Sequence, residues 1–350
     1  MVIGVDPHKS THTGVAVDEL GRGKGQKTVP ARREGHRDLI ARARQACPGE
    51  RAWAVEDVRH VAGGLVRDLL AAGEQVVFVP PKLMAGARRG GRERGKSDPI
   101  DALAIGRAAL REDAFLPPAR LSERVLPVRQ LSGHRDDLVA GRTRVICRLR
   151  WLLHDLAPGL APGPRALTSA RQATALRAAV AALPQAAATR IALSQLARLT
   201  ALTTEISTLE KELTALITSL APTLLAIPGA GPVTAARIPG ETGDIRRFRS
   251  KAAFARHNGT APIPASSGNS TARRLSRSGN RQLNAAIHRI AITQARCHPD
   301  ARKLPDRRAA SHRETPKSSL RVLKRHISDV VYRTLTHDAP HLDQPQANAA

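Results

Sequence analysis

The sequence predicts an α/β domain at its N-terminal end, a long helical middle and a mainly helical C-terminal part. Three observations predict this. Over roughly the first 115 residues, short apolar runs that end in acids alternate with segments of helical periodicity. Two heptad stripes follow. From Leu225 onward, glycine and proline punctuate the chain and its composition changes again.

Residues 2–6 form an apolar run that ends in Asp6, and Asp6-Pro7-His8-Lys9-Ser10 reads as a turn. Residues 13–18 read as a second strand. Residues 34–46 read as a helix, 52–55 as a buried strand ending in Glu56-Asp57, 59–72 as a helix, and 75–79 as a strand stopped by Pro80-Pro81. Residues 86–97 are rich in Gly, Arg and Lys and read as a mobile basic loop. The next helix starts with Asp98 as its cap and Pro99 at the first helical position. A 3-4 spacing from Val128 to Leu156 places apolar residues at seven of nine positions, and from Leu199 to Leu220 at all seven. Such register points either to a coiled-coil seam between subunits or to an antiparallel hairpin within one chain. Residues 157–190, rich in Ala and Pro, link the two arms. Leu225 to Ala236 resembles a helix-hairpin-helix, in which Gly229 and Gly231 allow a tight turn and backbone amides face a DNA phosphate. The alternative is a plain packing element. The domains expected are 1–115, 121–222 and 223–336, with 337–350 as a disordered tail.

The 350 residues carry 56 Lys and Arg against 30 Asp and Glu, a formal charge of +26. This excess makes a polyanion the expected partner, and 41% apolar residues exclude a disordered basic tail. At 2% aromatics, base stacking is not expected to be the main recognition device. Cys47, Cys147 and Cys297 form no C-x-x-C pair, which supports neither a zinc cage nor a disulfide framework. No apolar stretch is long enough to span a membrane, and the N-terminus lacks the basic region of a signal peptide. The expectation is a cytoplasmic, nucleoid-associated protein with no membrane partner.

Two constellations carry chemistry. Asp6 and Glu56 each end a strand, and Asp98 and Asp101 share one helix face. If the strands are neighbours and the helix packs on their edge, four carboxylates meet, and oxygen ligands at that density favour Mg²⁺ or Mn²⁺. A solvated strand end and a helix cap would explain Asp6 and Asp98 equally well. Further on, Ser266-Ser267-Gly268 is followed by Arg273, Arg274, Arg277, Asn280 and Arg281. A serine on a Gly-bounded loop near arginines suits attack on a phosphate, or simple phosphate binding.

The two constellations together resemble the transposases of insertion-sequence family 110. The most specific pieces are Gly4-Val5-Asp6-Pro7-His8-Lys9, Lys96-Ser97-Asp98-Pro99-Ile100-Asp101-Ala102, Ile227-Pro228-Gly229-Ala230-Gly231-Pro232, Arg246-Arg247-Phe248, Ala261-Pro262 with Ser266-Ser267-Gly268, and Gly279 to Asn284. The resemblance spans about residues 1 to 335. It implies an RNase H-like (RuvC-like) N-terminal domain, a coiled-coil region and a C-terminal transposase domain. It further implies that Asp6, Glu56, Asp98 and Asp101 are a metal-binding catalytic quartet and that Ser267, with Ser266 as the less favoured choice, is the nucleophile. DNA, both donor and target, a structured guide RNA and a homodimer or homotetramer are the implied partners. A site-specific invertase of the same architecture, a RuvC-like nuclease and an inactive nucleic-acid-binding remnant are the alternatives.

Overall fold

Strand β1 (Val2–Pro7) is the middle of a five-stranded sheet in the computed structural model. The structure describes residues 1–90, 95–112, 116–163, 166–184, 186–265, 273–274, 276, 279–303 and 316–343. With β2 (Thr11–Val17), β3 (Gly23–Pro30), β4 (Ala52–Glu56) and β5 (Gln75–Val79), the order is β3-β2-β1-β4-β5. The β1-β2-β3 side is antiparallel and the β1-β4-β5 side parallel. This mixed arrangement, with helices on both faces, fits an RNase H-like domain.

Strand alternation decides which face each residue joins. Ile3, Val5, Trp53 and Val55 point toward α1 (Arg33–Ala46) and α2 (Arg59–Ala71), where they meet Leu39, Leu65 and Leu69 in one core. Gly4, Asp6, Ala54 and Glu56 are the alternate positions. That second face packs against α4 (Asp98–Glu112), with Ala54 buried against Ile105, Ala108 and Ala109. Gly4 lets the helix come down onto the strand: a Cβ there would overlap the Ala102 carbonyl oxygen and lie 2.5 Å from the Gly106 nitrogen. Below the sheet, Glu74 is buried and accepts hydrogen bonds from Arg51 Nη2 (2.7 Å), Trp53 Nε1 (2.9 Å) and Arg44 Nε (3.0 Å). Burial alone would push this carboxyl up; those donors outweigh it and hold the group below the usual carboxylate range.

Several elements depart from the sequence expectation. Strand β3 was not anticipated: Gly-Lys-Gly-Gln-Lys-Thr-Val-Pro lacks apolar alternation because β3 is an edge strand with mostly exposed residues. Residues 86–89 are not loop but the end of helix α3 (Pro81–Arg89), started by Pro81; residues 91–94 lie outside the described residues. Helix α4 begins one position early. Asp98 is its first residue and the Ser97 carbonyl accepts the Asp101 amide, so Ser97 stands where Asp98 was expected.

The chain forms two compact units from interleaved stretches. The first comprises Met1–Leu121, Asp244–Asn284 and Lys324–Arg333. Besides the sheet it contains α10 (Lys251–His257), the two-residue strands β6 (Ile263–Pro264) and β7 (Arg273–Arg274), and parts of α11 (Arg281–Cys297) and α12 (Pro316–Asp338).

The second unit contains α5 (Val125–Leu156), α6 (Ala170–Ala181), α7 (Ala187–Leu220), α8 (Pro222–Leu225) and α9 (Pro232–Thr242). Helices α5 and α7 pair within the chain, joined by Arg135 and Glu210 at 2.6 Å. Leu199, Ile206, Leu213 and Leu220 are fully buried, whereas Leu202, Leu209 and Leu216 are half-buried. The link holds α6, whose Leu176 and Val180 join Leu196 and Leu199 in the core. Residues 337–342 are not a loose tail: α12 runs to Asp338 and a 3₁₀ turn covers Ala339–Leu342. The buried Asp338 carboxylate accepts from the Thr223 amide (3.2 Å) and hydroxyl (2.7 Å), which fixes that end.

One buried histidine in the first unit makes stability depend on pH. His12 on β2 is almost wholly buried, and its ring stacks on His36 at 5.2 Å. Burial, then His36, pulls its pKa down to about 4. The unfolded chain therefore binds a proton near pH 6.5 that the folded chain refuses until about pH 4. Stability is expected to fall by about 3 kcal/mol as pH drops through this window. Denaturant titrations at both ends, repeated on His12→Gln, isolate the effect as the difference in slope.

Candidate active site

Asp6 and Glu56 close the C-terminal ends of the parallel pair β1 and β4, one position beyond the Val5–Val55 register pair. Both are buried, and alternation turns both toward α4. From α4, the first turn brings Asp101, also buried, and the half-exposed Asp98. The structure thus gathers all four acids in the first unit. His8 bridges two of them: its Nε2 lies 3.2 Å from Asp6 Oδ2 and 3.4 Å from Asp98 Oδ1. Arg88 Nη1 donates to Asp101 Oδ1 at 3.0 Å.

The electrostatics agree with the crowding. Burial pushes the Asp6 carboxyl up, His8 pulls it back, and Asp101 and Asp98 push it up again. Burial also raises Glu56, reinforced by Asp6 and Asp101. Burial is the largest cause for both groups, the neighbouring carboxylates add to it, and His8 opposes it. Ligand atoms of Asp6, His8 and Asp98 all lie within 4.8 Å of one another. Carboxylate oxygens with one imidazole at that spacing fit a hard divalent cation. Each of these carboxylates has two oxygens: His8 engages Asp6 Oδ2 and Asp98 Oδ1, and Arg88 engages Asp101 Oδ1.

The sequence assigns neither His8 nor Arg88 a role at the site. His8 sits two residues after an acid that ends a strand, a signal available in principle. Arg88 was hidden by the loop reading of its segment.

Beside this edge, still in the first unit, a cleft is lined by Asp57, Lys82, Arg247, Arg256, Asn280 and Arg281 among others. Arg256 Nη2 donates to Glu112 at 2.8 Å. Asn280 and Arg281, expected to contact nucleic acid, therefore line a cleft in which Lys82, Arg247 and Arg256 stand beside Asp57, Glu112 and apolar side chains. Arg274 is exposed on β7; the side chain of Arg273, all of Arg277, and Ser266 and Ser267 lie outside the described residues. Described residues on either side of the serines pair with each other. Ile263 pairs with Arg274 and Pro264 with Arg273. At the base, the Asn280 amide donates to the His257 carbonyl (2.7 Å) and Asn284 Nδ2 to the Asn258 carbonyl (2.7 Å). Gly259 adopts φ +73°, and a Cβ on Gly279 would overlap it.

The two turn glycines belong to the second unit. Gly229 has φ +87° and lies against Thr293, and Gly231 precedes Pro232 at the start of α9. The preceding helix α8 is a single turn, so the hairpin is shorter than the sequence suggests.

Among the described residues, no helix is long and apolar enough to cross a membrane. Residues 3–158 match a transposase family model of the DEDD IS110 type, and residues 221–305 match a model described as transposase IS116/IS110/IS902 family. The 44.8 kDa protein of insertion element IS116 from Streptomyces clavuligerus is 30% identical over 77% of this chain and 78% of its own length. The 42 kDa protein of insertion element IS900 from Mycobacterium paratuberculosis is 26% identical over 93% of each. A solved structure of T. thermophilus RuvC in complex with Holliday junction substrate is 20% identical, covers 34% of this chain and 98% of its own, and has a TM-score of 0.27. The family matches at both ends, together with the relative that shares 30% identity over most of each chain, place this protein in the IS110/IS116/IS902 family of transposases.

Proposed function

We propose that the chain cuts and rejoins the DNA of a mobile element, with Asp6, Glu56, Asp98 and Asp101 as an acidic quartet for Mg²⁺ or Mn²⁺ and Ser267 as the nucleophile. The observation that carries this reading is the convergence of buried Asp6 and Glu56 with the first turn of α4. A divalent ion held there would neutralise charge on a phosphodiester. His8 orients Asp6 and Asp98, and Arg88 holds Asp101. Lys82, Arg247, Arg256 and Arg281 in the adjacent cleft suit phosphate oxygens.

In the serine step, Ser267 Oγ forms a bond to phosphorus while the bond from phosphorus to the leaving sugar oxygen breaks. The serine proton departs and the leaving oxygen takes one up. Attack by the hydroxyl of another strand reverses the exchange and restores the serine, so joining needs no energy source. A structured guide RNA and a homodimer or homotetramer complete the reading.

Trapping the reaction on element-end DNA is expected to give a covalent protein–DNA adduct that maps to the peptide containing Ser267. Ser267→Ala loses the adduct and Ser266→Ala keeps it. Wild-type joining by Ser267→Ala would remove the serine step and leave a nuclease.

A further inference from the structure

Charge is divided unevenly along the helical hairpin of the second unit. Between Arg142 and Arg198 the sequence has nine arginines and a single acid, Asp155. At the other end, residues 125–141 and 199–220 together carry five acids and three Lys or Arg. The acids at that end are used within the chain: Arg135 pairs with Glu210 at 2.6 Å, His134 with Glu205 at 3.2 Å and Arg237 with Asp136 at 2.5 Å. The arginine-rich end has almost no carboxylate of its own to meet.

That end also exposes a large aromatic side chain. Trp151 on α5 is 77% exposed, while the other tryptophan, Trp53, is wholly buried. At 100° per residue, Val145, Leu149 and Leu153 define the buried stripe of α5, and Trp151 projects from the opposite side. Arg144 and Arg148 precede it by seven and three residues, so all three share one exposed stripe. An indole flanked by guanidinium groups has the two elements that hold a strand with unpaired bases: a stacking surface and cations for its phosphates. A duplex hides its base faces and would use only the cations.

We infer that the arginine-rich end of the α5–α7 hairpin is a docking surface for single-stranded DNA, with a base stacked on Trp151 and the backbone along Arg144 and Arg148. The inference rests on DNA being the substrate, since cutting and rejoining leaves strands transiently unpaired. It is independent of which residues cut.

The test uses the full chain, without divalent metal, so cleavage plays no part. Because Trp53 is buried, fluorescence quenching by an oligonucleotide reports Trp151. Oligothymidylate is expected to quench it. Trp151→Ala should weaken oligothymidylate binding about 10-fold, and Trp151→Phe should retain most of the affinity. Binding to a blunt duplex should change less than twofold in either variant. Arg144→Gln with Arg148→Gln should reduce the salt slope for the single strand by about 1–1.5. Absence of quenching, or equal loss of duplex binding by Trp151→Ala, overturns the inference. So does quenching by an RNA homopolymer but not by DNA, and so does a shift in sedimentation of Trp151→Ala that marks the patch as a contact between copies. A chain that fails to cut DNA in every condition yet binds oligothymidylate through Trp151 separates failure of the proposed chemistry from failure of this surface.

Discussion

Asp6→Asn is expected to lower strand cleavage by at least about 10²–10³-fold while leaving the melting temperature unchanged or raised. The two effects have one cause. The Asp6 carboxylate is buried among Asp98, Asp101 and Glu56, so the folded state disfavours its charge. The amide has the same shape and removes that charge, which relieves repulsion in the metal-free fold. It also removes an anionic oxygen where the proposed cation would sit, and activity falls with it. Nucleic-acid affinity should hold, because it arises from a +26 surface. Thermal denaturation in chelator, cleavage in Mg²⁺ and a filter-binding assay read the three quantities separately. A marked drop in melting temperature would mean that Asp6 is a structural acid, and unchanged cleavage would remove it from the quartet.

Gly4→Ala should be among the most damaging single methyl groups that can be added to the first unit. The new carbon would overlap the Ala102 carbonyl and press on the Gly106 nitrogen, both backbone atoms that have no rotamer to escape into. Helix α4 would have to lift from β1, at a cost of about 3 kcal/mol. Asp98 and Asp101 ride on the first turn of that helix, so the site would open as well. Gly106→Ala presses mainly on the Val17 side chain and should cost less. Denaturant unfolding of the two variants checks the order. Equal costs would show that the helix–strand contact is softer than its geometry implies.

How much of this was legible in the chain depends on the kind of signal. β1, β4 and β5 announce themselves because each is a short apolar run ended by an acid or by Pro80-Pro81. The same pattern makes Asp6 and Glu56 meet only if β1 and β4 are neighbours, and the parallel pairing of the two strands supplies that condition. β3 was silent because an edge strand needs no apolar face. α3 was silent because its Arg and Gly residues look like loop, although Pro81 marks a start. The ion pair from Arg88 to Asp101 depends on how α3 meets α4, which no local window contains. The same holds for residues 244–284, which belong with the sheet although they lie more than 120 residues beyond it in sequence.

That last arrangement has a consequence during synthesis. The first unit takes in Met1–Leu121 but is finished only by Lys324–Arg333, where Lys324 donates to Asn284 and the Tyr332 hydroxyl to the Phe248 carbonyl. At ribosomal speeds of about 5–20 residues per second, roughly 10–40 s pass between emergence of Leu121 and of the unit's last packing partner. Until then the strands and α4 exist on the nascent chain without the later stretches of the same unit. A message cut short, or a ribosome stalled before this point, releases a product with the carboxylates but without the finished unit. A partial copy of the gene thus encodes the acids of β1, β4 and α4 without the stretches that complete their unit.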